Sequence, residues 1–236
     1  MPVAVITGAS QGLGLALAHA LARSGWSVVA DARDAVRLDD AVGDLPGGPH
    51  LAVPGDVTDS WHRGALAASA ADLGGADLLV NNASTLGLNA GGASPLPLLA
   101  DVEPETYLRT FDVNVVAPIA LAGLLLPQLR PRGGRILNIT SDASVEAYET
   151  WGGYGSSKAA LDHASRVLAA EEPAVRVYAV DPGDLRTAMH QAAFPGEDIS
   201  DRPEPESAVP HLMALVVGDH ASGRLRAADL EPAVRT

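Results

Sequence analysis

Residues 3 to 14 read Val3-Ala4-Val5-Ile6-Thr7-Gly8-Ala9-Ser10-Gln11-Gly12-Leu13-Gly14, and this stretch decides the fold. A short, uninterrupted apolar run is what a strand buried on both faces requires. Gly8, Gly12 and Gly14 then let the backbone turn sharply. Apolar spacing of helical period follows over residues 13–24, with Gly25 as a stop. Strand, glycine-rich turn and helix in that order leave backbone amides at a helix N-terminus, where they can face the negative charge of a pyrophosphate.

Outward from this unit, runs rich in Val, Ile and Leu recur at residues 26–30, 51–53, 78–80, 135–140 and 175–180. Mainly helix-compatible stretches separate them. The alternation predicts an α/β fold with a parallel sheet covered by helices on both faces, and residues 223–229 can add an edge strand. Helices are expected over residues 58–73, with Thr58 as the cap, over 104–130 as one long helix disturbed at Pro118, and over 155–172. Gly133-Gly134 and Pro182-Gly183 read as turns. No linker or repeat marks a boundary, so residues 1–236 are read as one domain. The irregular stretch 184–210, with four prolines and many charges, reads as a substrate-binding lid.

Composition narrows the function. A hydrophobic content of 47% supports a substantial core. A formal charge of −13 argues against a nucleic-acid partner and against an anionic membrane surface. The absence of cysteine excludes disulfides, thiol nucleophiles and cysteine-ligated metals. The apolar run 119–126 is too short to span a bilayer and ends at Pro127, so it reads as buried helix. Residues 1–7 lack the basic start and long apolar stretch of a signal peptide, and a cytoplasmic location is the expectation.

Downstream lie Ser141, Tyr154 and Lys158. Moving a hydride to or from a carbon requires a proton to move at the attached oxygen, hence a positioned acid/base. A phenol of ordinary pKa is a poor base at neutral pH, and a neighbouring ammonium lowers that pKa. Tyr154 and Lys158 are four residues apart, so on one helix they share a face. The lysine can then act on the phenol and reach a bound ribose, while the Ser141 hydroxyl holds the substrate oxygen.

The residues from Thr7 to Gly14 match the fingerprint Thr-Gly-x-x-x-Gly-x-Gly, and with Ser141, Tyr154 and Lys158 the chain resembles the short-chain dehydrogenase/reductase family over nearly its whole length. The resemblance implies a Rossmann-type doubly wound sheet of about seven strands in the order 3-2-1-4-5-6-7. It implies an NAD(P)-dependent oxidoreductase that interconverts an alcohol and a ketone or aldehyde, with Tyr154 as acid/base, Lys158 tuning it and Asn114 supporting the proton path through a positioned water. The implied cofactor cradle comprises Gly8, Ser10, Gln11, Gly12, Leu13 and Gly14, then Asp56 and Val57 by the adenine ring, Asn82 and Ala83 after the fourth strand, and Tyr154 and Lys158. Pro182, Gly183, Leu185 and Thr187 complete it by the nicotinamide. Asn81-Asn82-Ala83 is followed by Ser84, where the family has glycine. The family's NAD-selecting acid would fall at Ala32, and the next residue is Arg33, which can pair with a 2′-phosphate. NADP is therefore favoured over NAD, although Asp31 is adjacent and Gln11 stands where many NADP-using relatives are basic. Relatives form dimers or tetramers through the two long helices, so a homodimer or homotetramer is expected. Two alternatives are a catalytically silent NAD(P)-binding sensor or scaffold, and a sugar-nucleotide epimerase or dehydratase. The intact set of catalytic residues disfavours the first, and the short chain and the glycine spacing disfavour the second.

Other residues add little. The seven histidines show no metal-ligand spacing, so no metal is expected; His163 is assigned to a helix–helix contact, and His190 and His211 to surface or packing. Asp142, Glu146, Tyr148, Glu149 and Trp151 can line a substrate pocket or form a solvated loop. Met189, His190 and Phe194 can supply the apolar side of the lid.

Overall fold

The computed structural model describes residues 1–88 and 96–233. The opening run becomes β1 (Val3–Ile6), all four residues buried. It is joined by β2 (Ser27–Ala32), β3 (His50–Pro54), β4 (Leu78–Asn81), β5 (Arg135–Ile139), β6 (Arg176–Asp181) and β7 (Gly223–Arg226). All pairings are parallel and the order is β3-β2-β1-β4-β5-β6-β7. After β3 the chain returns to the far side of β1. This reversal opens a crevice between the carboxyl ends of β1 and β4, where open α/β sheets bind ligands.

Residue alternation along the strands feeds two cores. Ala4 and Ile6 face one layer with α1 (Gly12–Arg23), α2 (Ala35–Gly43) and, at the far side, a later helix (Val209–Val217). Val3 and Val5 face the other, which holds Leu66 of α3 (Ser60–Asp72) and the long helix after β4. That helix runs as α4 (Pro104–Phe111), a π-helical turn (Asp112–Val116) and α5 (Ala117–Leu129). Pro118 therefore widens the helix rather than breaking it, because a wider turn accommodates a residue without an N–H. Together with the following 3₁₀ turn the helix is long and apolar enough to cross a membrane by length and composition. Its apolar face is committed elsewhere: Leu121, Leu125 and Leu129 are fully buried against the sheet.

Several boundaries differ from the expectations. The cap of α3 is Asp59, which accepts from Trp61 N at 2.8 Å, whereas Thr58 belongs to the preceding turn. The helix expected from residue 155 is α6 (Gly152–Glu171), so Tyr154 lies in its first turn. The stretch 184–210, expected to form a lid, contains a helix, α7 (Ala188–Ala193), and a 3₁₀ turn (Pro205–Ser207), before α8 (Val209–Val217) begins. The last strand stops at Arg226, where the chain enters a 3₁₀ turn (Ala227–Asp229).

Candidate active site

The glycine-rich turn is fixed by contact as much as by conformation. Gly8 and Gly12 have φ of +66° and +57°, a region that favours glycine. A Cβ on Gly14 would overlap the Gly8 carbonyl and the Asn82 amide, so Gly14 lies behind the turn and serves close packing, not the cleft surface. The Thr7 hydroxyl accepts from the amides of Asn82 and Ala83, both at 3.0 Å, and the Asn82 side chain donates to the carbonyls of Thr7 and Gly8, also at 3.0 Å. These bonds tie the ends of β1 and β4 together. At the start of α1, Gln11 makes no side-chain cap and the first turn carries no acid. Its amides are left to an anion, the observation that fits a dinucleotide pyrophosphate.

A cleft of about 1020 Å³ runs from this turn across the sheet ends, at the upper end of the roughly 300–1,000 Å³ common for small-molecule sites. Gly8, Ser10, Gln11, Gly12, Leu13, Arg33, Asp56, Val57, Asn82 and Ala83 line one half. Ser141, Tyr154, Lys158, Pro182, Gly183, Leu185 and Thr187 line the other. Of the residues predicted for the site, Gly14 and Asn114 do not reach its surface.

At the end of the cleft beside β2, four residues absent from the sequence reading organise the predicted ones. Asp31 is 1% exposed and its Oδ1 lies 2.6 Å from His62 Nε2, on α3. A Cβ on Gly55 would overlap the His62 ring, so that glycine makes the pair possible. Burial pushes the Asp31 carboxyl up from its ordinary value, opposed by its bonds to His62 and to the Gly8 amide. The carboxylate is thus turned inward, and its main-chain carbonyl accepts from Ala9 N at 2.8 Å. Arg33 is exposed and makes no ion pair among the described residues. Arg37, on α2, donates to Gln11 Oε1 at 2.7 Å, which places a second guanidinium at the rim. Arg109 donates to Asp56 Oδ2 at 2.6 Å. Burial opposes ionisation of Asp56, but the Thr58 amide and hydroxyl and Arg109 outweigh it and bring its carboxyl down to about 2.

At the other end Gly155 lets α6 approach the Ser141 turn, since a Cβ there would lie 2.7 Å from the Ala143 carbonyl. Tyr154 and Lys158 share a helix face as expected, but their electrostatics differ from the expectation. Lys158, the only lysine in the chain, is 2% exposed and donates to the Ile139 carbonyl at 2.8 Å, with Nζ 5.5 Å from the Tyr154 ring centre. Burial brings its pKa down to about 7. Burial also pushes the Tyr154 phenol above its ordinary range; Asp142 and Asp181 add to the rise, and the hydroxyls of Ser141 and Ser84 oppose it. Withdrawal from water therefore outweighs the ammonium, which is bonded to a neutral carbonyl rather than to the phenol oxygen.

Asn114 is fully buried in the π-helical turn. Its Oδ1 accepts from Thr85 N at 2.9 Å and Ser84 Oγ at 3.1 Å, and its Nδ2 donates to Thr85 O at 2.8 Å and Ser157 Oγ at 2.9 Å. The side chain is saturated. Its main-chain carbonyl lacks the usual donor four residues on, because Pro118 has no N–H. Ser84, in the place of the family glycine, thus links Asn114 to the surroundings of Tyr154.

The substrate side joins the two predicted groups. Trp151 packs edge-on to Tyr154 at 5.7 Å, and Phe194 of the lid lies 5.9 Å from Trp151 and 5.0 Å from His190. Leu86, Leu96, Ala143 and Met189 complete this apolar wall. Asp142 and Tyr148 also line the cleft, whereas Glu146 and Glu149 are exposed outside it. Thr150, between Tyr148 and Trp151, has φ of +70°, a strained conformation for a β-branched residue. Thr187 reaches Gly12, but its hydroxyl caps α7 through His190 N at 3.1 Å. His163 is exposed beside Arg166 rather than at a helix–helix contact within the chain, and His211 is bonded to the Leu230 carbonyl at 2.7 Å. No group of potential metal ligands occurs among the described residues.

The geometry agrees with similarities to known proteins. The family profile described as short chain dehydrogenase matches residues 2–198. An uncharacterised oxidoreductase of Methylorubrum extorquens is 34% identical over 236 residues, covering 95% of this chain and 92% of its own. L-xylulose reductase of Bos taurus is 36% identical over 195 residues, covering 81% and 75%. Among solved structures, an alcohol dehydrogenase from the archaeon Thermococcus sibiricus, complexed with 5-hydroxy-NADP, superimposes with a TM-score of 0.85 at 27% identity, covering 99% of this chain and all of that one.

Proposed function

The chain belongs to the short chain dehydrogenase family, and from that premise we propose that it is an NADP-dependent oxidoreductase interconverting a ketone or aldehyde and an alcohol. The observation that carries the reading is the convergence of Ser141, Tyr154 and Lys158 on one cleft with the uncapped N-terminus of α1. The Gly8–Gly14 turn, Asn82, Lys158 and Thr187 hold the dinucleotide, which when bound supplies or accepts the hydride. Tyr154 gives its proton to the carbonyl oxygen in reduction and takes it back in oxidation. Because burial holds the phenol protonated well above neutral pH, Tyr154 is set as an acid. A protonated phenol is the form that reduction requires, whereas oxidation requires the phenolate. Lys158 holds the ribose, and the Asn114 main-chain carbonyl positions the water that returns a proton to this end of the site.

NADP is preferred because the acid at the end of β2 is withdrawn. Asp31 faces His62, which leaves the exposed Arg33 guanidinium, with Arg37 near it, to meet a 2′-phosphate. Self-association through α4, α5 and α6 is supported by the exposed Leu108, Val116, Leu124 and Val167 along them, and light scattering at micromolar concentration tests it. The activity is tested by screening ketones and alcohols with both cofactors while following nicotinamide absorbance. Tyr154→Phe should reduce turnover by about 10²–10⁴-fold, the span of general acid–base catalysis, and leave the cofactor dissociation constant within about twofold. Substantial residual turnover would overturn the assignment.

A further inference from the structure

Ser141 does not stand free in the cleft. Its hydroxyl donates to Asp142 Oδ1 at 2.9 Å, and Tyr148 donates to Asp142 Oδ2 at 2.8 Å. The Ala143 amide is the carboxylate's third donor, to Oδ1 at 2.8 Å, and it is shared with Ser141 Oγ at 3.2 Å. A serine hydroxyl carries one proton, for which Asp142 Oδ1 competes with the Tyr154 oxygen. While Asp142 holds it, a carbonyl at Ser141 meets lone pairs, and two acceptors repel. To gain its second donor beside Tyr154, a carbonyl oxygen must draw the Ser141 proton away from a carboxylate, an exchange of a charge-assisted bond for a neutral one.

We propose that Asp142 is a positioning residue that acts through Ser141 and selects carbonyl substrates bearing a hydroxyl on the adjacent carbon. When Ser141 turns to the carbonyl, Asp142 Oδ1 loses a donor. A hydroxyl next to the carbonyl sits beside Ser141 and can replace it. A plain ketone has nothing to offer there and leaves the carboxylate short of one partner, which is how a site built for a hydroxyl rejects the analogue lacking it. Tyr148 keeps the carboxylate from swinging away. The other charged groups facing this point are Asp181 of β6, Asp184 and His190 of the lid, Lys158 of α6 and Arg224 of β7, which donates to the Ser141 carbonyl at 3.3 Å. None of them competes for the Ser141 hydroxyl among the described residues. The inference rests on the oxidoreductase reading and adds the substrate class to it.

The experiment compares 1-hydroxy-2-butanone with 2-butanone, using the whole enzyme and NADPH at one pH. Both ketones need the same Tyr154 proton, so the ratio of their kcat/KM values is independent of how Asp142 affects the phenol. The wild type should prefer the hydroxyketone by about ten- to a hundredfold, the worth of one hydrogen bond to a charged group. Asp142→Asn, which keeps the shape and an acceptor for Ser141 and Ala143, should narrow the ratio to about threefold or less, partly by lowering KM for 2-butanone. Asp142→Ala should narrow it as well, and Ser141→Ala should remove the effect of the second substitution on the ratio. A gain in affinity for the plain ketone is a result that mere structural damage does not give. A wild-type preference for 2-butanone, or a ratio unmoved in both Asp142 variants, would overturn the inference alone. Absence of turnover of either ketone by the wild type with either cofactor would sink the oxidoreductase reading with it.

Discussion

The two ends of the cleft each bury a titratable pair, and they treat it in opposite ways. Asp31 and His62 are 1% and 8% exposed and bonded to each other at 2.6 Å. Tyr154 and Lys158 are equally withdrawn, at 8% and 2%, but the ammonium is bonded to a neutral carbonyl and lies 5.5 Å from the phenol ring centre. At the first end the desolvation of Asp31 is opposed in part by its charged partner and by the Gly8 amide, and the pair lies under the Gly8–Ala9 turn. At the second end no charged partner opposes burial, and only the neutral hydroxyls of Ser141 and Ser84 act against it. It moves the phenol above its ordinary range and the ammonium down to about 7. Perturbed groups of the second kind mark chemistry, and paired groups of the first kind mark architecture.

Lys158→Met should break this contrast most severely. Turnover should fall by about 10²–10⁴-fold, since the cation that holds the ribose beside the acid is lost. Stability should move the other way. The folded-state pKa of about 7 lies below the ordinary lysine value of 10.5, so the unfolded chain binds a proton that the folded chain does not between those pH values. Stability therefore rises as pH climbs through that window and is lowest below pH 7. No other lysine contributes to the slope, because the chain has none. Thermal melts at pH 6 and pH 9 should show the variant more stable than the wild type at pH 6, with the difference shrinking at pH 9. Each kcal/mol gained raises Tm by roughly 2–4 °C in a chain of this size.

His62→Ala at the other end should cost stability without moving the chemistry. It leaves the Asp31 carboxylate buried without its partner, a change worth about 3–5 kcal/mol. His62→Gln, which keeps a donor, should recover part of that. In both variants the pH dependence of kcat should match the wild type at temperatures where they are folded. A displaced pH profile would mean that the two pairs are coupled across the cleft, and the contrast between them would fail.

The sequence revealed one pair and not the other for a definite reason. Tyr154 and Lys158 are four apart on a helix, and the glycine fingerprint is contiguous, so both are local patterns. Asp31 and His62 are joined only by the pairing of β2 with its neighbours and by the space left at Gly55, which no local pattern encodes. Arg37 and Arg109 were hidden similarly: α2 is short and mostly exposed, and Arg109 of α4 reaches Asp56 across a separation that includes α3 and β4. The early start of α6 was illegible because Gly152 and Gly153 are poor helix formers, and packing of Gly152 against Leu99 and of Gly155 against the Ala143 turn sets the boundary instead. Residue types at Tyr154 and Lys158 showed that two charges could interact. They could not show that burial would outweigh that interaction, since burial is a property of the assembled cleft.

Arg33→Ala sharpens the account of the cofactor end. With Asp31 turned to His62, Arg33 is the exposed cation at the end of β2, and its loss should raise KM for NADP by about tenfold or more, the worth of a charge-assisted bond to phosphate. KM for NAD should stay within about twofold. A parallel rise for both cofactors would mean that Arg33 supports the loop rather than the 2′-phosphate.

The smallest effect is expected where neither kind of pair is involved, at Phe194 on the lid. Its ring closes the apolar wall over Trp151 and His190 at 5.9 and 5.0 Å, and Trp151 in turn lies edge-on to Tyr154. Truncation to alanine removes apolar contact with substrate but no hydrogen bond and no charge, so it should weaken ground state and transition state alike. KM for the carbonyl substrate should rise by about three- to tenfold with kcat nearly unchanged, in keeping with the loss of about 1 kcal/mol of apolar contact. The pH profile should not shift, because the water that alanine admits reaches Trp151 before it reaches the phenol. If kcat falls instead and its alkaline limb moves to lower pH, then Phe194 is part of what keeps Tyr154 dry. The burial that raises the phenol at the catalytic end would then depend on Phe194 as well as on the sheet and α6.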